Sequence, residues 1–162
     1  MLEQMYSKID DGDLTLVSSD KKELKCHKNI LAAQSSYFEG MFEFNQGKAG
    51  QQNRVDVAVS ADLLQAMLGF MYTSKVEISS DKLVDLLDMS VQFMLPKLKH
   101  SIELLLGNNL SVDNFYDTYC IAKAFECHVL KPLLFKFGNQ NLLQLRQKQI
   151  LVKLDLEDST LI

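Results

Sequence analysis

Two Cys-His neighbours, Cys26-His27 and Cys127-His128, are joined by a third cysteine at Cys120. Thiolate and imidazole are the groups that bind zinc or form a nucleophile-base couple. Their spacing argues against both roles. A strand through residues 24–28 sends Cys26 and His27 to opposite faces, so the two cannot grip one ion. Cys120 and Cys127 lie seven apart on a predicted helix, roughly 10 Å at the helical rise. Zinc bonds of about 2.3 Å do not span that gap. The sequence holds no G-x-S-x-G elbow, H-E-x-x-H, Walker loop or G-x-G-x-x-G. The loop Gly47-Lys48-Ala49-Gly50 lacks the following Ser or Thr and the strand-to-helix setting of a phosphate cradle. The chain therefore reads as a non-enzyme with no cofactor and no metal site, its cysteines and histidines architectural.

The totals support contact over chemistry. With 162 residues, 47% hydrophobic and 23% charged, the chain can hold one folded domain and a small appendage. Its net charge of −4 argues against a phosphate backbone as partner. Apolar runs such as "IELLL" stop far short of the ~18 residues of a membrane span. The start "MLEQMYSKIDDGD" lacks the basic and apolar regions of a secretory signal, and three irregularly spaced cysteines imply no disulfide framework. An intracellular protein, cytoplasmic or nuclear, is expected.

The elements follow from periodicity. Leu2, Met5, Tyr6 and Ile9 share one face of a short amino-terminal helix. "LTLVS" and "ELKCH" form a hairpin about the "SDKK" turn, and "NILAAQSSYFEGMFEF" is helical with a possible break at "SS". Loop 45–53 precedes a strand on Val55, Val57 and Val59. Ser60 is placed to cap a helix buried through Leu64, Met67, Leu68 and Met71. "SKVEI" is a further short strand, and Ser80 caps a helix facing inward through Leu83, Leu86, Leu87 and Met94. Pro96 opens the next helix, with Gly107 after its end. Beyond residue 108 the pattern is all helical, which predicts domains at 1–107 and 108–162.

The stretch "DLTLVSSDKKELKCHKNILAAQSSYFEGMF" closely resembles the opening of a BTB/POZ domain: an Asp-led strand, a hairpin, a His-Lys step, then "ILAA-S-YF--MF". The similarity continues through "VDVAVSADLLQAMLGFMYTSKVEI", where Ser74 stands in place of the family's usual Gly. "LVDLLDMSVQFMLPKLKHSIELLL" looks like the family's last helices. "NLSVDNFYDTYCIAKAFECHVLKPLLFKFGNQN" is similar to the three-box and partial BACK region that often follow. The resemblance implies an α+β BTB/POZ fold, a small sheet covered by helices, with an all-helical BACK-like extension.

It also implies a homodimer, with Leu2, Met5, Ile9 and Ile30 matching interface positions. Asp13 and Lys28 match an acid and a base that line the groove between subunits in some members. Family members followed by a three-box resemble adaptors that hold the scaffold of a cullin-3 ubiquitin ligase and bridge it to a substrate protein. The cullin-binding positions implied here are Phe44, Gln46, Phe93, Met94 and Tyr119. The family's hydrophobic-x-Glu motif is reduced to Phe44 followed by Gln46, without the Glu. The alternative is a self-association or scaffolding module that binds a corepressor or peptide in the dimer groove and no cullin.

Sedimentation of the chain should give twice its 18.4 kDa mass. Met5→Asp should return it to one chain mass by burying an unpaired charge at the interface. A wild-type monomer contradicts the dimer.

Overall fold

Leu14–Val17 (β1) and Glu23–Cys26 (β2) pair antiparallel, Leu14 opposite Cys26 and Val17 opposite Glu23. The computed structural model describes residues 9–45 and 53–150. Ser18 locks the hairpin turn: its hydroxyl donates to the Lys22 carbonyl at 3.1 Å and accepts the Lys22 N–H at 3.0 Å. Arg54–Asp56 (β3) joins the other side of β1 in parallel, giving a three-stranded sheet of order β2-β1-β3. Bonding continues past the strand ends, with Val57 N–H on the Val17 carbonyl at 2.7 Å and Ser19 N–H on the Val59 carbonyl at 2.8 Å.

The helical stretch after β2 splits at Ser35 into α1 (Lys28–Gln34) and α2 (Ser36–Asn45). Ser35 itself is extended, at φ −136° and ψ 112°. Next come α3 (Ala61–Thr73), a 3-10 turn at Ser80–Lys82 and α4 (Leu83–Gln92). The predicted α3 stripe is real: Leu64, Met67, Leu68 and Met71 are all buried. Each contributes about 2 kcal/mol through the apolar area it removes from water. They share the first core with Leu31 and the inner sheet residues Leu14 and Leu16.

The carboxy-terminal elements are α5 (Pro96–Asn108), α6 (Phe115–Ala124), α7 (Leu130–Gln140) and α8 (Leu142–Gln147). The chain divides into two compact units between Lys99 and His100, within α5. In the second unit, Ser111 and Asn114 bond reciprocally ahead of α6, Ser111 N–H to Asn114 Oδ1 at 2.7 Å and Asn114 N–H to Ser111 Oγ at 3.2 Å. Glu103 is buried, and one of its carboxylate oxygens accepts the Val129 and Leu130 N–H groups at 2.7 and 3.0 Å. A carboxylate there satisfies orphan donors at the start of α7 and complements the positive end of the helix dipole.

Several expectations give way to tertiary context. Ser60 makes no side-chain cap; Asp20, reaching over from the hairpin turn, accepts the Ala61 N–H at 2.9 Å. "SKVEI" runs without strand pairing, since no neighbouring strand lies beside it among the described residues. Met94 turns outward and Met89 and Phe93 face the core. Gly107 lies inside α5, where an added Cβ would come within 2.2 Å of Leu133 Cδ1. Close approach of Leu133, and not helix termination, is what the missing Cβ makes room for at that position.

Ser74 ends α3 in the left-handed region, at φ 59° and ψ 21°. That conformation costs an L-residue roughly 1–2 kcal/mol, most of which glycine avoids. Ser74→Gly should raise the unfolding free energy by about 1 kcal/mol, read from urea melts. An unchanged or lower midpoint refutes the strain.

Candidate functional site

The Cys-His pairs were the chemical candidates, and local geometry assigns the first of them a structural task. Cys26 is fully buried at the end of β2, where its thiol donates to the Leu14 carbonyl at 3.7 Å. Gly12 packs so tightly over it that a Cβ there would meet the Cys26 carbonyl oxygen at 2.4 Å. Burial, reinforced by the Asp13 charge, pushes the Cys26 thiol from 9.0 up to about 12. A nucleophile needs the opposite shift. The unfolded thiol ionises near its ordinary value and the native one does not, so this group's contribution to stability falls as pH rises from 9.0 towards about 12.

His27 faces away from Cys26 and serves as a latch. Its backbone N–H donates to the Tyr72 hydroxyl at 3.0 Å, and that hydroxyl lies 2.8 Å from its Nδ1. One phenol thus fastens the start of α1 to the end of α3, and burial pushes its ionisation up. Cys127 is buried and Cys120 exposed in the second unit. Among the described residues no group of three or more His, Cys, Asp and Glu side chains is placed to hold a metal. A surface cleft of about 320 Å³ beside α3 has Asp62, Lys75, Glu77 and Lys82 as its charged walls. Lys82 bonds Asp62 at 2.6 Å and holds that carboxyl below its ordinary range.

The contact candidates gather on α2 and the turn after α4. At about 100° per residue, α2 presents three faces. Phe38 and Phe42 point inward, Glu39 and Glu43 form an acidic edge, and Tyr37, Met41 and Phe44 make a third, apolar face. Tyr37 is 43% exposed and Phe44 73% exposed, which is unusual for aromatic side chains. Beneath them Phe38 stacks on Phe93 with centroids 5.3 Å apart and planes 3° from parallel. The Tyr37 ring meets Phe93 edge-on at 5.1 Å.

Phe93 and Met94, paired in the sequence reading, point apart. Phe93 is buried at 6% exposure and underpins the face. Met94 takes φ 51° and stands 56% exposed, with the Ser36 hydroxyl 3.4 Å from its Sδ. Val91, on α4, is 45% exposed. Sequence reasoning missed Tyr37 and Val91, although the helical angle of Tyr37 relative to Phe44 was a usable signal. Ser35 joins the two elements. Its hydroxyl donates to the Phe93 carbonyl at 2.6 Å and accepts the Phe38 N–H at 3.2 Å.

The remaining candidates are dispersed. Leu2, Met5 and Gln46 lie outside the described residues. Ile9, in a 3-10 turn at Ile9–Asp11, and Ile30, on α1, are each half-buried. Asp13 Oδ1 accepts the Lys28 backbone N–H at 2.9 Å, whereas the Lys28 ammonium donates to Asn53 Oδ1 at 2.8 Å. Asp13 thus caps α1. Tyr119 sits half-buried on α6 of the second unit.

The family model described as "BTB/POZ domain" matches residues 2–110. Kelch-like protein 21 of Danio rerio is 32% identical over 133 residues, covering 82% of this chain and 22% of that protein. Kelch repeat and BTB domain-containing protein 8 of Xenopus tropicalis is 26% identical over 170 residues, covering 98% of this chain and 28% of that protein. The chain therefore spans between 22% and 28% of the length of these relatives. The solved BTB domain of zebrafish PATZ1 shares the fold at TM-score 0.58 and 21% identity, over 67% of this chain and 90% of that one.

Thiol titration of the native chain at pH 8 should find one fast-reacting cysteine of the three, Cys120. Cys26 and Cys127 should react only after denaturation. Fast native labelling of Cys26 would reopen the case for chemistry there.

Proposed function

The chain belongs to the BTB/POZ domain family, and on that premise we propose that it is a protein-interaction adaptor, not an enzyme. Two copies associate through Leu2, Met5, Ile9 and Ile30. Each copy then grips a cullin-3 ligase scaffold with the apolar face of α2 and the turn after α4, and the paired arms are brought to one substrate protein. Holding two arms on one target raises effective concentration without new chemistry. The observation that carries this reading is the set of exposed apolar side chains on α2, on α4 and in the turn after it: Tyr37, Phe44, Val91 and Met94. Apolar side chains gathered on one surface mark an interaction site.

The support is physical as well as familial. Stacked rings of Phe38 and Phe93 give the face a rigid base, so little conformational entropy is lost when a partner seats on it. Aromatic anchors such as Tyr37 and Phe44 are the side chain type that dominates interface energetics. The absent Glu of the hydrophobic-x-Glu motif shifts the burden onto these apolar contacts. Tyr119, on the three-box-like helix α6, is proposed as a further cullin contact. The chain then functions as the BTB and partial BACK-like portion of such an adaptor.

Calorimetry with the amino-terminal region of cullin-3 should show micromolar or tighter binding. Phe44→Ala should weaken it by about 2 kcal/mol, roughly thirtyfold, with the thermal midpoint unchanged. No binding at micromolar concentration by a chain that still dimerises defeats the cullin reading and leaves the scaffolding module.

A further inference from the structure

We infer that Met94 is an oxidation site, and that its conversion to the sulfoxide by hydrogen peroxide releases the α2 face from its protein partner. The regulatory half of this inference rests on the docking role proposed above; the modification itself rests on geometry alone. Thioether oxidation needs access to the sulfur. Met67, Met71 and Met89 are 0%, 1% and 2% exposed, and Met41 is half-buried. Met94 is 56% exposed, so among the described methionines it offers peroxide the most open thioether.

Its setting is built to hold that exposure. Met94 N–H donates to the Val91 carbonyl at 3.1 Å, and Leu95 N–H to the Ser90 carbonyl at 2.8 Å. These bonds pin the left-handed residue between two buried neighbours, Phe93 and Leu95. The backbone is thereby held in the conformation that leaves the Met94 side chain exposed.

The step balances simply. A sulfur lone pair attacks one peroxide oxygen, the O–O bond breaks, and an S–O bond forms. The departing oxygen leaves as water once it has taken the second proton. Sulfur loses two electrons and peroxide gains them. The Ser36 hydroxyl, already 3.4 Å from Sδ, is within reach of the new oxygen and can donate to it. Oxidation thus puts a strong, partly satisfied hydrogen-bond acceptor where an exposed thioether stood. Seating such a group against an apolar partner surface costs its desolvation.

The test uses the whole chain, graded hydrogen peroxide and peptide mass mapping, followed by calorimetry against the amino-terminal region of cullin-3. Met94 sulfoxide should accumulate well before any at Met67, Met71 or Met89. Affinity should fall about tenfold as it forms, and methionine sulfoxide reductase should restore it. Met94→Leu, whatever its own starting affinity, should show no fall on peroxide treatment. Equal oxidation rates at exposed and buried methionines overturn the modification site. Unchanged binding by the sulfoxide form, or an equal peroxide effect in Met94→Leu, overturns the regulation. Failure of the untreated chain to bind cullin-3 defeats the docking role and the regulation with it, while the mass map still decides the modification site.

Discussion

Ser35 has a single hydroxyl, and the whole contact face hangs from it. The group is 1% exposed, so it must find partners inside the protein. It finds two, donating to the carbonyl that ends the α4 turn and accepting the N–H that begins α2. Together these bonds break one long helix into two, aim the second at a new angle, and bring Phe93 against Phe38. Removing the oxygen would leave a buried carbonyl and a buried N–H without their partner, a loss of about 1–3 kcal/mol per group.

That break is what allows α2 to be apolar on two sides. A helix continuing from α1 would carry Phe38 along the α1 axis and not onto the Phe93 ring. Re-aimed at Ser35, α2 buries Phe38 against the Phe93 ring and leaves Tyr37, Met41 and Phe44 on a separate face. The acidic edge of Glu39 and Glu43 lies beside that face. An exposed apolar surface next to like charges discourages unspecific self-association while remaining open to a complementary partner.

Much of this was readable from residue spacing, and the failures have physical causes. The hairpin, the break at the paired serines and the α3 stripe follow local rules of alternation, turn chemistry and helical period. The resemblance to the BTB/POZ family was carried by those same local patterns, and the family match confirms it. What failed was long-range. Asp20 took the cap expected of Ser60 because the hairpin turn happens to sit over the start of α3. Gly107 looked like a helix stop because Leu133, 26 residues away in sequence, was invisible. "KVEI" has strand composition but no neighbour to pair with among the described residues. Phe93 and Met94 were treated as a unit, yet one left-handed residue sends their side chains in opposite directions. Candidates at Leu2, Met5 and Gln46 stay expectations of sequence alone.

The parallel pairing of β3 with β1 carries a further consequence. Thr15 meets Arg54 across the sheet, so the connection from the end of α2 to β3 has its far end held by the ladder. The entropy of closing such a connection grows only as the logarithm of its length, about 0.6 kcal/mol for each doubling. Residues inserted between α2 and β3 would therefore tax the domain very little. Chain length can be added or removed there while the sheet and the rings of Phe38 and Phe93 hold their places, which uncouples the length of that connection from the survival of the fold.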